Sequence, residues 1–270
     1  MRRAPHLLVN TPAIELWPAA LCRALASADA RAISRSETVL RRKRDGRFLA
    51  AIGPRGLSPL APALSREPGL EAAIGALAVL DARVPGAAID ARGELPADDV
   101  HADNLAMGLA DDYAETSGLP FHHEPRLLGF AGRDRYRRAL WLLAPAARAW
   151  LAMREAARRE GVVLEAISGY RSHAYQRGIF ERKFARGLTL DEVLRVNAAP
   201  GHSEHHSGHA LDIGTPGEPP AEESFEATPA YAWLCGRAGD FGFRLSYPRD
   251  NPHGIVFEPW HWCWHAADSR

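Results

Sequence analysis

Apolar positions follow two periods along the chain, and proline, glycine and capping residues mark where one gives way to the other. Ala146, Trp150, Met153 and Ala157 recur at helical spacing, with Pro145 suited to a first turn and Gly161 to a stop. Residues 162–167 then read as a short buried strand. Ser172 predicts the N-cap of a helix over 172–186, with Gly187 just past its end. Thr189 and Glu192 have the spacing of a capping box. Thr228-Pro229 opens a further helix to about Ala238, and 243–247 and 255–257 read as strands.

Before residue 104 the texture is richer in Ala, Pro and Gly. Residues 37–44 and 47–52 flank Asp45-Gly46, a strong hairpin signal. The basic run Arg41-Arg42-Lys43-Arg44 sits on that hairpin and reads as a solvated strand edge protected by charge. Leu70, Ile74, Leu77 and Leu80 predict a helix behind Glu67-Pro68, and 85–103 a turn-rich connector. The stretch 7–25 is broken by Asn10, Glu15, Pro18 and Arg23, so it lacks the clean apolar core of a leader peptide despite Met1-Arg2-Arg3 before it. It predicts a helix, with Thr11 as N-cap and Pro12 in the first turn. Helices and short strands alternate without regular βαβ spacing, which predicts an α+β fold in two parts, an N-terminal region over 1–103 and a second unit over 104–270.

Composition narrows the function classes. With 33 Lys+Arg against 33 Asp+Glu the formal charge is zero, which argues against coating nucleic acid or an anionic membrane. No run of about 20 apolar residues exists to span a bilayer as a helix. Cys22, Cys235 and Cys263 are too few and too far apart for a disulfide framework or a cysteine zinc site, and read as small buried hydrophobes.

Histidine carries the chemical signal. Eight of the 12 histidines lie between His173 and His265, and His202, His205, His206 and His209 fall in one nine-residue window followed by Asp212. A second cluster is Glu258-Pro259-Trp260-His261. Two imidazoles and a carboxylate leave a fourth tetrahedral position open on a catalytic zinc, and a spare carboxylate can move a proton. The H-E-x-x-H helix of zincins is absent, and Pro259 disfavours a helix, so ligands from separate segments must converge. Spacing alone leaves open which of the four clustered histidines binds metal.

Ser168-Gly169-Tyr170-Arg171, then Ser203-Glu204-His205-His206-Ser207-Gly208-His209-Ala210-Leu211-Asp212, then Glu258-Pro259-Trp260-His261 follow the patterns S-x-Y-R, S-x-H-x-x-G-x-A-x-D and E-x-W-H, complete and in order within 94 residues. In these blocks the chain resembles the VanY-type D-alanyl-D-alanine carboxypeptidases, zinc peptidases of the LAS group that act on peptidoglycan stem peptides. The resemblance covers about 104–266 and implies a small antiparallel sheet flanked by helices. It implies His205, Asp212 and His261 as zinc ligands, Glu258 as general acid/base, and Arg171 as the cation that contacts substrate and developing oxyanion. Ser168, Tyr170 and Gln176 match positions that shape the substrate pocket. His202, His206 and His209 are outside the ligand pattern and read as partners of the ligands or as solvent-facing. Gly208 reads as a sharp turn or close backbone approach.

The implied substrate is a stem peptide ending in D-alanine. Three alternatives stand beside it: an L,D-carboxypeptidase or endopeptidase on the same scaffold, a non-catalytic zinc-stabilised peptide-binding module of the kind the Hedgehog-type domains represent, and a histidine-rich metal buffer. The intact Glu258 and Arg171 favour an enzyme. Trp260, Trp262 and Trp264 alternate about His261 and read as core, with a glycan-stacking platform as the alternative. Cytoplasmic trimming of recycled wall peptides and action in the cell envelope fit the sequence equally.

Overall fold

The computed structural model describes residues 7–24, 26–81 and 93–266. β1 (Leu7–Asn10) and β2 (Ile14–Pro18) are followed by α1 (Ser27–Ile33), β3 (Thr38–Arg42), β4 (Phe48–Gly53), β5 (Gly56–Pro59), α2 (Leu70–Asp81), α3 (Asp98–Ala106) and α4 (Tyr113–Ser117). Then come β6 (Leu127–Arg133), β7 (Ala139–Leu142), α5 (Ala144–Arg159), β8 (Glu165–Ser168), α6 (His173–Phe184), α7 (Leu190–Leu194), β9 (Ala210–Gly214), α8 (Pro229–Arg237), β10 (Phe243–Leu245) and β11 (His261–Trp264).

The strands form two antiparallel sheets. The larger has seven strands in the order β5-β4-β3-β2-β1-β6-β7, and the smaller has four in the order β10-β11-β9-β8. The larger sheet runs through the predicted boundary at residue 103, because β1 pairs with β6, Leu8 opposite Leu128. α5 links the two sheets in space: its apolar face, Ala146, Trp150, Met153 and Ala157, packs with Leu140 and Leu142 of β7, Leu211 and Ile213 of β9, and Leu234 of α8. The far side of the N-terminal strands buries Ile14, Leu16, Leu40 and Leu49 beneath Ala73 of α2.

The α+β class and the predicted starts of α2, α5, α6, α7 and α8 match the structure. Ser172 accepts from the Tyr175 N–H at 3.1 Å, and Thr189 and Glu192 form the capping box. The hairpin about Asp45-Gly46 is β3–β4.

Five local expectations need correction. The segment 7–25 holds a hairpin instead of a helix, since the Thr11 hydroxyl donates to the Ile14 carbonyl at 2.7 Å and closes a turn where a helix cap was expected. The basic run is not a solvated edge: β3 lies between β2 and β4, Arg41 pairs with Glu15 at 2.6 Å, Arg42 with Glu67 at 2.8 Å, and Lys43 is buried against Glu124 at 2.6 Å. Of the connector over 85–103, residues 85–92 lie outside the described residues, and α3 begins at Asp98. Residues 255–257 are not a strand: the Val256 N–H bonds to the Arg195 carbonyl, and the Glu258 N–H to the Tyr247 carbonyl. The three cysteines are free, and Cys235 is exposed where a buried residue was expected. No helix among the described residues is long and apolar enough to cross a membrane.

Candidate metal centre

The small sheet and its connections assemble the cluster. β8 leads through Gly169, Tyr170 and Arg171 into α6, so Arg171 stands between strand end and helix start. A short 3₁₀ turn, Glu204–Ser207, presents His205 and passes through Gly208 into β9, which carries Asp212. β11 opens on His261, directly opposite Asp212 in the ladder. Gly208 has a φ of 73°, and a Cβ there would lie 2.9 Å from the Leu143 amide nitrogen. The turn and the close approach expected at this glycine are both present.

His205, Asp212 and His261 are all buried, and one donor atom from each lies within 4.8 Å of the others. His205 Nε2 and His261 Nδ1 stand 3.3 and 3.2 Å from the same oxygen, Asp212 Oδ1. Ligands bound tetrahedrally at zinc distances are separated by about 3.3–3.4 Å. The other ring nitrogens are already engaged: His205 Nδ1 donates to the Gly169 carbonyl at 2.7 Å, and His261 Nε2 to Glu204 Oε2 at 2.8 Å. These bonds fix which nitrogen of each ring faces the cluster. His205 Nε2 is buried with no hydrogen bond of its own. Such an orphaned acceptor, in a set of two imidazoles and one carboxylate, suits zinc.

Charge and burial tune the neighbours. Burial, then the Arg171 charge, push the His205 imidazole down to about 4, which keeps its lone pair free. Burial opposes the charge on His261, but its bonds to Asp212 and Glu204 prevail and raise it to about 10. Burial dominates at Glu258, raising its carboxyl to about 7 even though His261 and Arg171 pull the other way. Glu258 Oε2 lies 3.8 Å from His261 Nδ1.

A cleft of about 260 Å³ opens over the cluster, lined by Arg171, Gln176, Tyr247, Glu258 and Trp260 among others. Arg171 donates from Nε to Ser168 Oγ at 2.9 Å and pairs through Nη2 with Asp212. Gln176 donates to the Ala198 carbonyl at 2.9 Å, and its Oε1 is a buried acceptor without a partner. Ser168 and Tyr170 line a second cleft with Trp17 and Arg41, and Arg171 lines both. The Tyr170 hydroxyl turns to Glu124 and Asn10.

The remaining histidines separate from the cluster. His202 and His206 are buried, not solvent-facing, with Nδ1 on the Leu119 carbonyl at 2.9 Å and on the Arg171 carbonyl at 2.7 Å. His209 is half-buried beside Trp264. Trp262 is part of the main core, with Trp260 and Trp264 packed against it. Sequence reasoning missed Glu204, which holds His261, and Tyr247, whose ring centre is 4.9 Å from that of His261. A carboxylate directly before a candidate ligand histidine was the available signal for Glu204; Tyr247 lies outside every motif and had none.

Residues 140–267 match the VanY family, D-alanyl-D-alanine carboxypeptidase. This stretch is VanY-like. The chain is similar to YodJ of Bacillus subtilis, 33% identical over 153 residues, which are 53% of this chain and 55% of that protein. It is also similar to a D-alanyl-D-alanine carboxypeptidase of Enterococcus faecalis, 34% identical over 118 residues, 40% of this chain and 42% of that protein. The chain thus spans about half the length of these relatives. Among solved structures, a vancomycin-resistance D,D-pentapeptidase VanY in complex with Zn(II) is 29% identical, with a TM-score of 0.39, covering 46% of this chain and 73% of that one. The cluster, the cleft and Glu258 all lie inside the VanY-like stretch, whereas β1–β5 lie before it.

Proposed function

We propose that this chain is a zinc-dependent D,D-carboxypeptidase that removes the terminal D-alanine from peptidoglycan stem peptides. One observation carries the reading: two imidazole nitrogens, each fixed by a bond at the far side of its ring, stand 3.2–3.3 Å from one oxygen of Asp212, beside a buried carboxylate not needed as a ligand. The VanY-like stretch and the D-alanyl-D-alanine carboxypeptidase among its relatives support the substrate class.

His205 Nε2, His261 Nδ1 and Asp212 hold the metal in this reading. A bound zinc ion supplies Lewis acidity, polarising the scissile carbonyl and acidifying water. Glu258 accepts a proton from the attacking water as its oxygen bonds to the carbonyl carbon. It then returns that proton to the D-alanine nitrogen as the C–N bond breaks. A carboxyl raised to about 7 by burial exchanges protons near neutral pH, as that double role requires. Arg171 offers planar N–H donors to the carbonyl oxygen or the terminal carboxylate. The free Gln176 Oε1 supplies an acceptor for a substrate N–H.

Purified protein incubated with pentapeptide and tetrapeptide stems, with and without chelator, tests this. Release of one D-alanine from the pentapeptide alone, abolished by chelator and restored by zinc, is expected. Cleavage of the tetrapeptide instead would assign L,D specificity, and binding of stems with no cleavage would assign a binding module.

A further inference from the structure

We propose that Lys43 and Asn10, on the N-terminal strands and outside the VanY-like stretch, are positioning residues for Arg171, acting through Glu124 and Tyr170. The inference rests on the reading above for the use of Arg171, though not for its placement.

Glu124 spends its two carboxylate oxygens on the residues either side of Arg171. Oε2 accepts from the Tyr170 hydroxyl, and Oε1 accepts from the His173 backbone N–H, at the first residue of α6, at 2.9 Å. Arg171 is therefore held from both directions by one side chain, while its own N–H bonds to the His205 carbonyl at 3.2 Å. From that backbone the guanidinium reaches Ser168 and Asp212.

A carboxylate this buried needs a cation, and the N-terminal region supplies it. Lys43 Nζ lies 2.6 Å from Glu124 Oε2, and the lysine side chain is only 1% exposed. Burial pushes the Glu124 carboxyl up, but the Lys43 charge, His173 and the bonds from Lys43 and Tyr170 outweigh it and hold the group ionised. Asn10 completes the hub: Nδ2 donates to the Tyr170 hydroxyl at 2.7 Å and to the Pro125 carbonyl at 3.0 Å. Without Lys43, Glu124 would take up a proton or draw in water. A protonated carboxyl no longer accepts equally at both oxygens, so the clamp on the Tyr170–His173 segment opens. The chain has only two lysines, and one is committed here. A compact ammonium on a flexible stem suits a single oxygen reached between packed strands.

Three variants of the full chain test the proposal: Lys43→Met, Tyr170→Phe and the double variant Lys43→Met/Glu124→Gln. The first readout is the side-chain Nε–H resonance of Arg171, assigned by its loss in Arg171→Lys and recorded with and without zinc. It should be sharp in wild type, shift or broaden in Lys43→Met and Tyr170→Phe, and stay displaced in the double variant, where the amide nitrogen cannot accept at one of the two positions. The second readout is turnover of a pentapeptide stem, expected to fall at least tenfold in kcat in Lys43→Met with one zinc per chain retained, and to stay low in the double variant. If Lys43→Met does not fold, Tyr170→Phe carries the test, because it leaves the Lys43–Glu124 pair in place. An unmoved Arg171 resonance in every folded single variant overturns the proposal. If wild type cleaves no stem while the resonance moves as described, the function assigned above fails and the positioning stands.

Discussion

His205 and His261 present opposite ring nitrogens to the cluster, Nε2 from one and Nδ1 from the other, because each gives its remaining N–H to a fixed acceptor. They are the proposed ligands, so replacing either by alanine should reduce zinc to well below one per chain by metal analysis. His209→Ala should keep full zinc, since that ring packs on Trp264 away from the cluster. Full occupancy in both His205→Ala and His261→Ala would remove them from the ligand set. The convergence of His205, Asp212 and His261 was legible in the sequence, because three ordered motif blocks carry these side chains. Glu204 and Lys43 were not. Their roles depend on which side chain faces them across the fold, and neither spacing nor composition encodes that.

Helix caps were the most readable elements, because Ser172 and Thr189 act on backbone groups three residues away. α6 starts where the Arg171 segment ends, so its cap also anchors the cleft. Ser172→Ala should cost about 1 kcal/mol of stability in denaturant unfolding. A loss below a few tenths would mean that Glu124, which also accepts from the first turn, suffices as the cap. The elements misread share one cause: their partners are distant in sequence. Thr11-Pro12 is a sound helix start locally, yet pairing of β1 with β6, more than a hundred residues away, draws the segment into a sheet. The basic run looked solvated because Glu15, Glu67 and Glu124, which neutralise it, lie on other segments. Residues 255–257 carry strand-forming side chains, but the Val256 N–H bonds to Arg195 and that of the adjoining Glu258 to Tyr247.

The β1–β6 ladder and the buried Lys43–Glu124 pair tie the N-terminal strands to the segment 124–133 that leads into the VanY match. We propose that residues 104–270 hold the chemistry and residues 1–103 complete its support. A fragment starting at residue 104 keeps every motif but loses β1, one of the two partners of β6, and the cation of Glu124, so its melting temperature should fall several degrees below that of the full chain; equal melting would make the two parts independent. Acid tests the same link. Glu124 is held below its ordinary value of 4.5, so its stabilising contribution is complete above that pH and drains away as pH falls through the folded pKa. Between neutrality and pH 3 the wild type should therefore lose more stability than Lys43→Met/Glu124→Gln, and parallel losses would mean that the pair contributes nothing to acid sensitivity. Release of D-alanine from a pentapeptide stem, compared between wild type and Glu258→Gln at equal zinc content, bears most directly on the proposed chemistry. Turnover should drop at least about 100-fold with zinc and peptide binding retained, as expected for loss of a proton-transfer group. Undiminished turnover, or loss of zinc in Glu258→Gln, would contradict the mechanism.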